Sequence, residues 1–215
     1  MSEKHLSNRI IKMEVSATIE MNAKSRALKS QGLNVISLSL GEPDFNTPDL
    51  IKDAAIKAIQ DNYSKYPPIA GFQDLKEAIV QKFKNENNIN YTPSEIIVST
   101  GAKQSLVNVI LSLINPGDEV LLPAPYWVSY IEQVKLAGGI PVEIPTSIES
   151  NFKITPDQLK QAITEKSKLI VYSSPCNPSG SVYSKEELKA LSEVILSKEG
   201  LFILADEIYE YINFT

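Results

Sequence analysis

The pattern of apolar and polar positions near the end of the chain predicts a strand, a helix and a second strand. Residues 169–172 form a short apolar run rich in β-branched side chains, which is typical of a buried strand. Ser184 and Glu187 have the spacing of a capping box, which indicates that a helix begins there. Residues 201–205 are a second buried strand. This order makes a βαβ unit, whose two strands pair in parallel.

Strand and helix patterns alternate through the rest of the chain as well. Further apolar runs predict strands at residues 35–40, 95–99, 120–122 and 140–144. Helical spacing predicts helices at residues 16–29, 49–60, 72–87 and 128–136, and another after Gly101. Thr155 and Gln158 have the spacing of a capping box, with Pro156 as the first helical residue, which predicts a further helix there. Thr47 is expected to cap one of them, with Pro48 as its first residue. The pattern predicts an α/β protein with a mostly parallel sheet flanked by helices.

Polar side chains follow both strands of the βαβ unit. Asn177 lies in the loop after the first strand, and Asp206 comes directly after the second. In open parallel sheets, ligands bind outside the carboxyl ends of the strands. We therefore expect Asn177 and Asp206 to face one ligand, although each residue alone also fits a simple turn or cap.

A glycine-containing turn at residues 100–103 joins a predicted strand to a long apolar helix. The first N–H groups of a helix have no partner within it, and they carry the positive end of its dipole. Such a helix start is suited to bind phosphate. Many strand-to-helix turns contain glycine and bind nothing, so the motif alone is weak.

The composition narrows the class of protein. With 26 acidic and 21 basic residues and a net charge of −5, the chain lacks the basic footprint of nucleic-acid binding. Its one cysteine, Cys176, cannot form an intrachain disulfide, which fits a cytoplasmic protein. The amino terminus is polar and has no signal-peptide core. The longest strongly apolar run, residues 107–114, is too short to span a membrane.

Several common kinds of site are excluded by what the sequence lacks. The single histidine, His5, rules out a histidine-rich zinc site and argues against a Ser-His-Asp triad. We expect no metal site. Neither G-x-G-x-x-G nor G-x-x-x-x-G-K-[ST] occurs, so dinucleotide and P-loop sites lose their main support.

The segments SPCNPSG and ADEIYEY resemble the cofactor site of fold-type I aminotransferases, which use pyridoxal 5′-phosphate (PLP). The similarity is greatest to the bacterial aspartate aminotransferase branch and runs from about Ser16 to Tyr211. It implies the large domain of the PLP-transferase fold type I, incomplete in this chain. Residues 1–45 would form an N-terminal arm and part of a small domain. Residues 46–215 would form the large PLP-binding domain, truncated at its C-terminal end.

The resemblance implies ring contacts for four residues. Asp206 is expected to pair with the pyridine nitrogen, and Trp127 to stack on the ring. Asn177 and Tyr209 are expected to contact the 3′-oxygen. The role of Asp206 has an independent physical reason, because PLP is an electron sink and a nearby carboxylate keeps its ring nitrogen protonated.

The resemblance also implies phosphate contacts. The backbone of Gly101, Ala102 and Lys103 is expected to cradle the PLP phosphate. Tyr66 is expected to reach the PLP phosphate of the partner subunit in a homodimer with a shared active site. A tyrosine before two prolines is more often simply a rigid loop residue.

Substrate contacts are implied for Gly41, Trp127, Asn177 and Thr18. The backbone N–H of Gly41 and the side chain of Asn177 are expected to bind the substrate's α-carboxylate. Thr18 and Lys103 occupy positions where relatives that use acidic substrates contact the distal carboxylate. The expected substrate is therefore a dicarboxylic amino acid.

The chain departs from the family pattern in three respects. Cys176 and Ser179 stand where relatives more often carry Asn and Thr, which leaves the role of Asn177 intact. Glu14 stands where some relatives carry lysine near the substrate, which makes the choice of substrate less certain. The chain also stops at Thr215, before the lysine that forms the Schiff base and the arginine that clamps the α-carboxylate. The chain is thus expected to be an inactive amino-terminal fragment.

Three functions remain open at this point. The first is transfer of an amino group from an L-amino acid, aspartate in our expectation, to a 2-oxo acid such as 2-oxoglutarate. The second is another fold-type I PLP activity, such as that of a C–S lyase, because fold does not fix function. The third is a non-catalytic fragment that dimerises or binds PLP without a covalent bond.

Overall fold

The computed structural model describes residues 5–11, 13, 14, 17–38 and 40–214. The chain divides into two compact units. The first takes in the described residues of Met1–Ile19 and Gly101–Thr215, and the second is Glu20–Thr100. The helices are α1 Asn8–Ile11, α2 Ala17–Ser30, α3 Asp49–Gln60, α4 Gln73–Asn87, α5 Ala102–Leu113, α6 Ser129–Ala137, α7 Pro156–Ala162 and α8 Lys185–Leu196. The strands are β1 Glu119–Pro123, β2 Ile140–Ile144, β3 Ser167–Ser173 and β4 Phe202–Asp206.

The four strands form one sheet in the first unit, in the order β2-β1-β3-β4. All neighbouring strands are parallel, as expected for strands joined by crossover helices. The βαβ unit predicted from the sequence is β3-α8-β4, and Ser173 at the end of β3 is the register partner of Asp206 at the end of β4. The predicted α/β fold with a parallel sheet flanked by helices is confirmed, and both carboxyl ends lie at one edge of the sheet.

Two apolar cores, one on each face of the sheet, hold this unit together. Successive residues of β3 point to opposite faces, so Leu169 and Val171 pack in one core and Ile170 packs in the other. Helices α5 and α6 cover the first face, and α7 and α8 cover the second. All three of these β3 side chains are at most 2% exposed, which explains why the strand reads as an uninterrupted apolar run.

Capping predictions are confirmed for two helices and shifted for a third. Ser184 caps α8 and Thr155 caps α7, each by accepting a hydrogen bond from the backbone N–H three residues on. Helix α3 begins at Asp49 rather than at Pro48, so Pro48 takes the capping position that Thr47 was expected to hold. No side-chain hydrogen bond caps α3.

Two of the predicted strands do not form in the second unit. The described part of residues 35–40 has no strand assignment. Residues 93–95 make a 3₁₀ turn, and residues 96–99 have no strand assignment. An apolar run becomes a strand only when a partner pairs with its backbone, and here the Val98 N–H bonds only to the Ala70 carbonyl across a loop.

Gly71 is needed in that loop for two reasons. Its φ of +101° is rarely adopted by other residues, and a Cβ at this position would lie 2.6 Å from Cγ2 of Val98. The loop can therefore pack closely on Val98 only because Gly71 has no side chain.

Neither a membrane span nor a metal cluster is found in the described part of the chain. None of its helices combines the length and the apolar character needed to cross a bilayer. No group of three or more His, Cys, Asp or Glu side chains among those residues is placed to hold a metal ion.

Candidate active site

A cavity of about 170 Å³ opens at the carboxyl ends of β3 and β4, beside the start of α5. Its walls come from the first unit alone. They are formed by Ala102, Lys103, Leu106, Trp127, Tyr130, Ser173, Asn177, Asp206, Ile208 and Tyr209. Six of the residues singled out in the sequence therefore meet in one place, although they are spread over more than 100 positions of the chain.

Asp206 presents its carboxylate in the cavity from the end of β4. Its Oδ2 accepts a hydrogen bond of 2.7 Å from the hydroxyl of Tyr130. Its Oδ1 accepts one of 3.2 Å from the backbone N–H of Ile208. Since a carboxylate can accept about four hydrogen bonds, Asp206 retains capacity for a donor on a ligand.

Asn177 and Tyr209 form a polar pair on the cavity wall. The Asn177 amide Nδ2 donates to the Tyr209 hydroxyl oxygen over 3.2 Å. Because this oxygen acts as acceptor, the O–H of Tyr209 can donate to a ligand, as can the second amide hydrogen of Asn177. The pair therefore suits a ligand that carries an oxygen anion.

The loop that carries Asn177 is closed by bonds within itself. The Cys176 N–H donates to the Ser181 carbonyl (3.0 Å), and the Gly180 N–H donates back to the Cys176 carbonyl (2.8 Å). The Tyr183 N–H donates to the hydroxyl of Ser174, which anchors the loop's exit to its entry. Asn177 is thus held between two fixed ends, in a loop with cis peptide bonds before Pro175 and Pro178.

The start of α5 forms another side of the cavity. Gly101 precedes the helix with a φ of +83°, and no side-chain hydrogen bond caps its first turn. The first N–H groups of a helix have no partner within it, and they carry the positive end of its dipole. An anion is the expected partner of such a site.

Trp127 and Lys103 contact each other at the cavity wall. The ammonium of Lys103 lies 4.9 Å from the centroid of the indole ring, a cation–π distance. Trp127 also packs edge-on against Tyr130, with ring centroids 5.6 Å apart. The indole is therefore held from two sides, and Lys103 adds positive charge near the helix start.

Tyr130 and Ser173 are cavity residues that the sequence reasoning missed. Tyr130 is 1% exposed, and burial together with the hydrogen bond to Asp206 raises its pKa far above the usual value. The W-x-x-Y spacing from Trp127 was an available signal, because residues three apart on a helical turn lie side by side. Ser173 is buried, and its hydroxyl has no hydrogen-bond partner among the described residues.

Gly41, Tyr66 and Thr18, the other predicted site residues, are not among the described residues that line the cavity. Gly41 and Tyr66 belong to the second unit, where both are exposed, and the Tyr66 side chain is as accessible as in an extended chain. Thr18 lies in the first turn of α2 and is half-buried, and it is not among the described residues that line the cavity. The Glu14 N–H bonds to the carboxylate of Glu132.

A family model for class I and II aminotransferases matches residues 34–215. The chain belongs to this family. The family resemblance seen in the sequence is thereby confirmed.

Individual aminotransferases are similar over nearly the whole chain. An aspartate aminotransferase from Bacillus sp. strain YM-2 is 50% identical over 205 residues, which are 95% of this chain and 52% of that protein. An aspartate/prephenate aminotransferase from Nitrosomonas europaea is 51% identical over 207 residues, covering 96% of this chain and 52% of that protein. The chain thus spans about half the length of the curated aminotransferases it matches.

Solved aminotransferase structures share the fold. An aspartate aminotransferase from Thermus thermophilus with maleate superposes with a TM-score of 0.93 at 43% identity, over 98% of this chain and 56% of that one. An aspartate aminotransferase from Rhizobium meliloti superposes with a TM-score of 0.94 at 40% identity, over 98% and 53%. The expected PLP-transferase fold type I, present in part, is confirmed.

Proposed function

We propose that this chain forms the PLP-binding part of an aminotransferase that moves the amino group of L-aspartate to a 2-oxo acid such as 2-oxoglutarate. The observation that carries the proposal is that five of the predicted site residues line the same cavity: Lys103, Trp127, Asn177, Asp206 and Tyr209. Relatives named as aspartate and aspartate/prephenate aminotransferases support the substrate class. The Schiff-base lysine that the family resemblance implies is proposed to lie in the part of the protein outside residues 1–215.

The groups in the cavity fit PLP by their chemistry. PLP presents a flat aromatic ring, a ring nitrogen, a phenolic oxygen and a phosphate. The cavity offers an indole ring, a carboxylate, an amide–phenol pair and an uncapped helix start. The buried Ser173 hydroxyl, which lacks a partner among the described residues, is a further polar atom that a bound ligand would satisfy.

When bound, PLP supplies an electron sink for the α-carbon of an amino acid. In the proposed site the carboxylate of Asp206 holds a proton at the ring nitrogen, because a negative charge at hydrogen-bond distance favours the protonated form. Trp127 supplies a flat surface that orients the ring and excludes water from one side. Asp206 is proposed to act on the ring alone, whereas Trp127 is proposed to contact the substrate as well as the ring.

Substrate binding in the proposed site uses Asn177 with Gly41 for the α-carboxylate. Lys103, together with Thr18, is proposed to bind the distal carboxylate. A positive group there favours aspartate over alanine by the strength of a charged hydrogen bond. Tyr209 donates its O–H to the phenolic oxygen, since its own oxygen already accepts from Asn177. The first turn of α5, with Gly101 and Ala102, binds the phosphate.

The proposal includes a cytoplasmic homodimer in which both subunits build each site. Support for a shared site comes from Tyr66, whose large aromatic side chain is fully exposed in the second unit. An unpaired Cys176 fits a reducing compartment. The acidic net charge of −5 supports small-molecule substrates rather than a nucleic-acid partner.

Full-length protein supplied with PLP tests the function directly. We expect glutamate and oxaloacetate to form from L-aspartate and 2-oxoglutarate. Alanine, which lacks the distal carboxylate, should give a kcat/KM lower by about 10- to 100-fold, the worth of one charged hydrogen bond. Release of a thiol, ammonia and a 2-oxo acid from a sulfur amino acid, without amino transfer, would instead support a C–S lyase. Absence of PLP binding would contradict the proposal.

A subunit-mixing experiment tests the role of Tyr66. In hybrids of full-length Tyr66→Ala and Asp206→Asn subunits, one of the two sites keeps both native residues if Tyr66 acts on the partner's site. Random mixing makes about half of the dimers hybrids, so activity should rise toward about a quarter of the wild-type value. The matched control pairs Asn177→Ala with Asp206→Asn; both residues serve their own subunit's site, so no activity should return. Equal results for both mixtures would show that Tyr66 serves its own subunit.

A further inference from the structure

The hydroxyl of Tyr130 is a buried polar group that the proposed reaction does not use. Tyr130 is one of the largest fully buried side chains described, and its ring packs in the core between the sheet and α5. Only the tip of this side chain reaches the cavity, where its O–H donates to Oδ2 of Asp206 over 2.7 Å. A phenylalanine would fill the same core space, so packing alone does not require the hydroxyl.

Asp206 is held at both of its oxygens. Tyr130, from α6, binds Oδ2, and the backbone N–H of Ile208, just past β4, binds Oδ1. The two donors come from different elements, so together they set both the rotation and the tilt of the carboxylate plane. The orientation of the Asp206 carboxylate matters for any N–H group that it binds, because hydrogen bonds weaken steeply when they are bent.

The Tyr130 hydroxyl keeps its proton at neutral pH and can therefore act as a hydrogen-bond donor. Burial, and then the neighbouring Asp206 carboxylate, raise its pKa far above the ordinary value, so the phenol keeps its proton. The body of the side chain is fixed by Tyr126, stacked at 6.4 Å, and by Trp127, edge-on at 5.6 Å. The donor is therefore constant in both charge and position.

We propose that Tyr130 is a positioning residue, whose hydroxyl aims the Asp206 carboxylate at the ring nitrogen of the bound cofactor. The proposal rests on the proposed function, because it needs Asp206 to face a ring nitrogen. It adds a residue of the core to the site and explains why a tyrosine stands where packing needs only a phenyl ring.

The decisive experiment is ¹⁵N NMR of full-length protein loaded with PLP labelled at the ring nitrogen. In Tyr130→Phe we expect the ¹⁵N signal to move from the wild-type position toward that of Asp206→Asn, because a carboxylate that is no longer aimed at the ring nitrogen holds the proton there less firmly. We also expect kcat to fall about tenfold, the worth of a hydrogen bond to a charged group, while KM for aspartate changes less than twofold.

Tyr126→Phe is the matched control. It removes the hydroxyl of the tyrosine stacked on Tyr130, and the charged neighbour of that hydroxyl is Glu143 rather than Asp206. Its ¹⁵N signal and kcat should equal those of the wild type. If Tyr130→Phe and Tyr126→Phe gave the same signal as the wild type while Asp206→Asn shifted it, the positioning role would be overturned and the proposed function would stand. If Asp206→Asn also left the signal unchanged, both would be overturned.

A measurement without cofactor tests the same contact through stability. Urea unfolding midpoints of Tyr130→Phe, Asp206→Ala and the double variant form a double-mutant cycle. The double variant should unfold at a higher urea concentration than the sum of the two single shifts predicts. Each single change already removes the same hydrogen bond, so the second change cannot remove it again. Additive shifts would show that the two groups do not interact, which would overturn the proposal even if every variant folds.

Discussion

An Asp206→Asn variant of the full-length protein is expected to keep PLP bound but to lose about 10²- to 10³-fold in kcat, as when one preorganised electrostatic group is removed from an active site. Asparagine has nearly the same shape as aspartate but no charge, so it cannot hold a proton at the ring nitrogen. The helix start and the Asn177–Tyr209 pair still anchor the cofactor. Half-reaction rates with aspartate, and PLP content after dialysis, measure the two effects separately.

Glu207→Gln is the control for this variant. It removes the same charge one residue further along, from an exposed side chain that is not among the described cavity residues. Its rates should stay close to the wild-type rates. Near-normal rates in Asp206→Asn with PLP tightly bound would contradict the role given to Asp206, and complete loss of PLP would show that Asp206 mainly anchors the cofactor.

Shortening Leu169 to alanine is expected to reduce the free energy of unfolding by about 2–5 kcal/mol, the range found for leucine in a packed core. Leu169 is fully buried in β3, the strand that pairs with both β1 and β4. Alanine would leave a cavity among Leu122, Val171 and their neighbours, which the tight sheet cannot close. Urea unfolding of the wild type and the variant gives the difference.

Leu196→Ala makes the same chemical change at the end of α8, where the side chain is 81% exposed. Its effect should stay within about 0.5 kcal/mol. A loss for Leu169→Ala no larger than that of the control would mean that β3 is not part of a tightly packed core.

The sequence predicts the sheet of the first unit well because two signals agree there. β3 and β4 are apolar runs, and the helix between them opens with a complete capping box at Ser184. Residues 35–40 and 95–99 show the apolar run alone, and they form no strand where the structure describes them. A run of β-branched and apolar residues indicates that a segment is buried and favours an extended backbone. A strand also needs a partner strand, whose position is set by the rest of the fold.

The cavity was predictable to the extent that its residues follow strand ends. Asn177 and Asp206 sit at such ends, so parallel topology alone brings them together. Tyr130 lies on the buried face of α6 with Val134, and the sequence does not distinguish a tyrosine there from any other core aromatic. Only the distance of 2.7 Å from its hydroxyl to Asp206 distinguishes a site residue from an ordinary core residue. The positions of Gly41, Tyr66 and Thr18 relative to a ligand stay predictions.

The closed loop around Asn177 has a consequence for the speed and selectivity of binding. Its backbone bonds, from Cys176 to Ser181 and from Gly180 to Cys176, are made within the chain and do not wait for a ligand. The conformational entropy of this segment is therefore lost when the protein folds rather than when a cofactor arrives. An incoming molecule meets the amide already in place, so its binding does not carry the entropic cost of ordering this loop. Molecules of the wrong shape gain nothing from an adjustment of the loop.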